Sequence, residues 1–104
     1  MVRHVVMFEF QKEAEGKSAL QNAVIARDKL YALQDRIPEI RRMEIGINDG
    51  EAEETNYTLC LTVDFDNFDD LQTYSLHPDH MEVGAFIARV RLSRACVDYT
   101  LDTE

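Results

Sequence analysis

The chain has 104 residues, 45% of them hydrophobic, with 11 basic and 20 acidic side chains and a formal net charge of −9. That is one small domain with a real core, too apolar for disorder and too acidic to bind phosphate backbones or anionic lipid, so nucleic-acid and membrane partners are excluded. The acid is unevenly placed: residues 1–52 hold 8 Lys/Arg against 9 Asp/Glu, residues 53–104 hold 3 against 11, and none of the basic residues falls between Arg42 and Arg89.

No apolar run approaches the roughly 20 residues of a membrane span. The N-terminus enters a strand pattern directly, with no secretory h-region. Two cysteines without such a signal are expected in a reducing, cytoplasmic setting. Nothing reads as a linker or a repeat, so residues 1–104 are expected to form a single domain.

In chain order, Val2–Phe10 alternates, with His4, Val6, Phe8 and Phe10 on one face and Val5, Met7 and Glu9 on the other. Two largely apolar faces predict an interior strand. Gln11–Lys17 is polar and reads as a connection. Ser18 with Gln21 forms a capping-box pattern, after which Leu20, Val24, Arg27, Leu30, Leu33 and Ile37 recur at helical spacing until Pro38. Arg41–Ile47 alternates as a second strand. An acidic loop leads to the third strand, Tyr57, Leu59, Leu61, Val63 and Phe65 forming its inward stripe.

Asp66 or Asn67 caps a short helix with Phe68 and Leu71 expected inward. His77-Pro78 breaks it, the proline being suited to the first position of the next helix, which runs through Phe86, Ile87 and Val90. Ala95–Leu101 is the last strand, with Cys96, Asp98 and Thr100 on its second face.

The order β-α-β-β-α-β is the ferredoxin-like α+β pattern, with a four-stranded antiparallel sheet in the order fourth, first, third, second and the second helix broken at His77-Pro78. Helices then cover one sheet face. The other carries apolar and thiol side chains from three strands, and in so small a domain it is expected to meet a second copy.

Several segments carry a resemblance: His4-Val5-Val6-Met7-Phe8, Ile37-Pro38-Glu39-Ile40, Glu44-Ile45-Gly46-Ile47-Asn48, Val63-Asp64-Phe65-Asp66, Tyr74-Ser75-Leu76-His77-Pro78-Asp79-His80 and Val97-Asp98-Tyr99. Together they resemble the stress-responsive A/B barrel domain (Dabb) family over nearly the whole chain, the His-Pro-x-His element being the most specific. The resemblance implies a dimeric α+β barrel. It also implies kinship with polyketide cyclases of the olivetolic acid cyclase type, which use no cofactor and in which the positions matching Tyr74 and His80 are catalytic. Thr58 stands where those cyclases carry a further pocket histidine, and Ala26 and Arg27 stand where they place aromatics, so a different cavity is expected.

His80, Tyr74, Asp98 and His4 are the candidate catalytic residues. Proton abstraction beside a carbonyl needs a base near neutrality, a carboxylate to fix its tautomer and a hydroxyl for the developing enolate oxygen. His80 lies in the first turn of its helix, Tyr74 just before the break, and Asp98 in the strand expected beside His4. Val6, Phe8, Leu61, Val63, Leu71 and Phe86 are the candidate walls of a pocket for a small apolar ligand. Each polar candidate also has a structural reading: His77 satisfying backbone at the break, Tyr74 in the core, Asp98 paired with Arg94.

His77, His80 and Asp98 offer N and O donors, yet two histidines in one motif are weak grounds for a metal site, and none is expected. Cys60 and Cys96 flank the first strand at roughly 10 Å, beyond disulfide reach, and are expected to be free and mostly buried. The glycines form no nucleotide or dinucleotide fingerprint, so no cofactor is expected. The functional expectation is a homodimer with a pocket for a carbonyl-containing or aromatic ligand and cyclase- or isomerase-like proton transfer. The alternatives are a non-enzymatic stress or structural protein and a cofactor-free monooxygenase of the same superfold.

Overall fold

Alternation in the first ten residues becomes strand β1 (Val2–Phe10), buried at every even position and mostly half-buried at the odd ones. The computed structural model describes residues 1–101, so the last three positions of the expected domain lie outside the described residues. The further elements are β2 (Glu13–Ala14), β3 (Lys17–Ser18), α1 (Ala19–Ala32) continued by a single 3-10 turn, β4 (Arg42–Ile47), β5 (Leu59–Phe65), α2 (Phe68–Leu76), α3 (Pro78–Val90) and β6 (Arg91–Thr100). The main sheet runs β4-β5-β1-β6 with every pairing antiparallel, which is the expected order of the four long strands.

Directly paired residues share a face. His4 opposes Val63 and Asp98, Val6 opposes Leu61 and Cys96, and Phe8 opposes Leu59 and Arg94. These positions face the helices, where Ala23, Ala26 and Leu30 of α1, Leu71 and Tyr74 of α2, and Val83, Ile87 and Val90 of α3 complete the core. The second face carries Val5, Met7, Cys60, Thr62, Ala95, Val97 and Tyr99 at its centre, and among these Met7 is 40% and Val97 55% exposed.

Local chemistry sets the element ends. Ser18 and Gln21 make the full capping box, each side chain taking the other's backbone N–H. The Asn67 side chain accepts the Asp70 N–H at 2.8 Å and starts α2. His77 has extended backbone, donates its N–H to the Tyr74 carbonyl, and accepts the Asp79 N–H on Nδ1 at 3.1 Å, so one residue closes α2 and opens α3.

The structure corrects the expected elements in several places. Gln11–Lys17 is not a plain connection, since Glu13–Ser18 folds into a tight hairpin around Glu15 and Gly16, both at positive φ. The buried face of α1 is not the Leu20-Val24-Arg27 stripe. Leu20 is 60% exposed, and the core instead receives Asn22, Ala23, Ala26 and Leu30. Small alanines let the helix axis approach the sheet more closely than the bulkier stripe allows. Phe68 is 52% exposed because, as the first residue of α2, it precedes the turn that meets the core. Tyr57 lies before β5 and is exposed. The last strand begins at Arg91 and follows α3 without a loop.

Cys60 and Cys96 are both free, as expected. They sit on opposite faces of the sheet, one opposite Met7 and the other opposite Val6, which separates them more decisively than distance does. Cys96 is exposed and Cys60 half-buried, so the expectation of mostly buried thiols is not met.

Candidate functional site

Sheet register places the first polar pair. His4 and Asp98 are directly opposed on β1 and β6, and His4 Nδ1 lies 2.5 Å from Asp98 Oδ1. His4 is buried and Asp98 exposed. A hydrogen bond to a carboxylate at Nδ1 fixes the ring orientation and leaves Nε2 as the second functional nitrogen. Asp98 therefore meets His4 rather than His80, and Arg94 does not take its place.

The helix break positions the second pair. Tyr74 ends its turn of α2 fully buried, and His80 in the first turns of α3 lies against it, with ring centroids 4.3 Å apart and planes inclined by 46°. Phe65 flanks Tyr74 on another side at 5.1 Å, and the His4 ring stands edge-on to Tyr74 at 6.2 Å. Thus Tyr74 is the shared neighbour of both histidines. Its hydroxyl is buried without a hydrogen-bond partner, and burial pushes its proton affinity well above that of an ordinary tyrosine.

His80 Nδ1 is 3.1 Å from the Ser75 carbonyl. A carbonyl only accepts, so Nδ1 carries the proton and Nε2 is the basic nitrogen of the neutral ring. Burial holds the His80 pKa below the usual histidine value, opposed by the Ser75 contact and helped by the nearby charge of Arg94.

His4 and His80 both line a cavity of about 170 Å³ between the sheet and the helices. Val6, Phe8 and Leu61 form its wall, as the sequence reading placed them, together with Leu30, Ser75, Gly84, Ile87, Ala88, Arg91 and Arg94. Val63 and Leu71 are core residues that do not reach the cavity. Phe86 is half-buried elsewhere, its ring beneath Lys29 and Arg89. Tyr74 lies next to His80 and not on the wall itself. Leu30 and the two arginines were missed by the sequence reading, although helical spacing in α1 contains Leu30 and alternation carried back along β6 reaches Arg94.

Thr58 Oγ1 accepts the Phe10 N–H at 2.9 Å, so this residue ties β1 to the start of β5 rather than facing the cavity. A larger open depression of about 700 Å³ lies at the β4–β5 end beside the acidic loop; it contains no histidine and a single carboxylate, Asp49.

The structure separates the possible donors His77, His80 and Asp98, His77 being committed to the α3 cap and Asp98 to His4. Among the described residues, the His, Cys and Asp atoms that do converge are those of His4, Cys96 and Asp98, within 4.8 Å of one another. An ion there would displace the His4–Asp98 hydrogen bond, and Arg94 beside Cys96 opposes a cation. Burial and the Asp98 carboxylate push the Cys96 thiol up, which disfavours the thiolate a metal needs.

Fold and site together define a ferredoxin-like α+β domain with a small histidine-lined chamber under its broken second helix. The sequence profile of the stress-responsive A/B barrel domain, Dabb, matches residues 2–101, and the chain belongs to that family. It is similar to a dimeric protein of unknown function with a ferredoxin-like fold from Bacteroides fragilis, at 31% identity over 96% of this chain and 95% of that one, with a TM-score of 0.77. A dimeric ferredoxin-like protein of unknown function from Thermobifida fusca is 27% identical over 96% and 90%, with a TM-score of 0.80. The hydroxynitrile lyase from Passiflora edulis shares the fold, with a TM-score of 0.79 over 99% and 95% of the chains at 17% identity. No curated protein matches the chain. Among the described residues, no helix is long and apolar enough to cross a membrane.

Proposed function

We propose that the chain is a homodimer in which each subunit holds a small carbonyl-containing ligand in the histidine-lined cavity and moves a proton on it without a cofactor. The observation that carries this is the state of His80: a neutral ring on the cavity wall, its Nδ1 proton spent on the Ser75 carbonyl, its Nε2 free as a base. Nε2 takes a proton from the carbon beside the carbonyl, giving an enolate and an imidazolium. The imidazolium then returns the proton to another atom of the same ligand, as an isomerase or cyclase requires. The His4–Asp98 pair supplies a second imidazole on the wall whose orientation is fixed, and Tyr74, behind the wall, packs against the His80 ring and holds it in place.

Assembly rests on the open sheet face. Its strand residues carry two arginines, Arg3 and Arg42, against Glu9, Glu44 and Asp64, so it is nearly neutral in a molecule of −9. Arg3 holds Asp64 through two hydrogen bonds of 2.8 and 2.9 Å, and Arg42 reaches Glu44 at 3.0 Å. A second copy meets apolar side chains there without facing unpaired like charge. A purely structural role for the His-Pro-x-His element has one observation in its favour, the capping work of His77. It leaves His80 and the cavity unexplained.

Exchange of the C3 proton of 3-methyl-2-oxobutanoate, a small keto acid, in D₂O, followed by NMR, tests the chemistry. The wild-type protein is expected to accelerate exchange over an equal concentration of free imidazole, and His80→Ala to abolish the excess. With the His80 pKa lowered, the base form persists below pH 6.5, so the rate is flat at neutrality and falls only at more acidic pH. Absence of acceleration by the wild type removes the enzymatic reading, and an unchanged His80→Ala rate removes His80 from it.

A further inference from the structure

The charged end of the cavity separates two arginines from all the others. Six of the eight arginines have a carboxylate partner: Arg3, Arg27, Arg36, Arg41, Arg42 and Arg89. Arg91 and Arg94 have none among the described residues, in a chain with 20 carboxylates to choose from, and both line the cavity. No Asp or Glu lines it with them.

Their placement is built into the sheet. Residues three apart in a regular strand point to opposite faces, so Arg91 and Arg94 are not expected on one side. The β1–β6 pairing shifts register between Glu9 and Phe10, so that Phe10 opposes Arg91 while Phe8 opposes Arg94. This bulge brings both residues to the cavity on the helix side and leaves Leu92 between them 65% exposed. The rest of the wall is apolar, from Phe8, Leu30, Leu61 and Ile87, and His80 lies within range of the Arg94 charge. The volume, about 170 Å³, is small against the roughly 300–1,000 Å³ of sites for drug-sized ligands.

Resting on the reading of this cavity as a ligand chamber, we infer that its ligand is a small organic acid, bound as the carboxylate anion on Arg94 and Arg91 with an apolar ring or branched chain against Phe8 and Leu61. A guanidinium fork matches a carboxylate in geometry as well as charge. A ligand held this way presents the carbon near its carboxylate end to His80. Substrates of the chamber are therefore keto acids rather than neutral ketones.

Calorimetric titration with benzoate and with benzamide, its neutral isostere, tests this on the full-length protein. Benzoate is expected to bind about tenfold more tightly than benzamide. Arg94→Gln, and more fully Arg91→Gln with Arg94→Gln, is expected to erase that preference while leaving benzamide affinity and the melting temperature unchanged. Arg36→Gln, an arginine outside the cavity, is expected to retain it. Equal binding of the two probes by the wild type overturns the anion assignment and leaves the chamber standing. A benzoate preference that survives loss of both arginines overturns it as well. Failure of both probes to bind overturns the chamber itself.

Discussion

At the scale of single residues, Tyr74 is the most informative side chain. Its ring is wedged between Phe65, His80 and His4, and its hydroxyl is buried without a partner. An unsatisfied buried hydroxyl costs about 1–3 kcal/mol, so its removal relieves a penalty instead of breaking a bond. Tyr74→Phe is therefore expected to hold or raise stability, by up to about 1 kcal/mol in chemical denaturation, and to leave proton exchange on the ligand unchanged, because the ring that packs against His80 remains. A destabilised Tyr74→Phe variant would show the hydroxyl to be bonded, and slowed exchange would show that it reaches the ligand.

At the scale of elements, α3 combines a cap, a base and a gap. Gly84 sits within this helix on the cavity wall, and a Cβ built there meets no atom within 4 Å. Gly84→Ala is expected to stabilise the fold by about 0.5–1 kcal/mol through helix propensity. A fall in melting temperature would show that the position needs glycine for a reason other than space. The helices and long strands were legible in the sequence because period-2 and helical spacing are strong there, and strand order put Asp98 within reach of His4 or His80, of which the structure pairs it with His4. The buried side of α1 was not legible. Two stripes share Leu30, Leu33 and Ile37, and only the closeness of helix and sheet chooses the alanines over Leu20. The hairpin at Glu15-Gly16 was hidden in a short polar stretch, since two paired residues a side make no periodicity. The paired role of Arg91 and Arg94 was hidden too, because alternation alone assigns them to opposite faces and a bulge leaves no mark on composition.

At the scale of the whole molecule, the small size and the acidity are reconciled by the sheet. Its helix-covered side holds the core and the cavity, and its other side is an apolar field with paired charges, while the bulk of the net charge lies elsewhere. Light scattering at micromolar concentration is expected to give twice the 12.0 kDa chain mass. Val97→Asp, placing an unpaired charge in the middle of that face, is expected to halve it while leaving benzoate binding intact. A wild-type monomer would remove the dimer. Because β1 borders both sides, it is two interleaved messages in one strand: even positions His4, Val6 and Phe8 line the cavity, and odd positions Val5 and Met7 lie on the open sheet face. Inserting or deleting one residue early in β1 would exchange the two sets at a stroke, so this strand is where the protein has the least freedom to evolve. Cavity wall and open face can change separately by substitution, but never by a change in length.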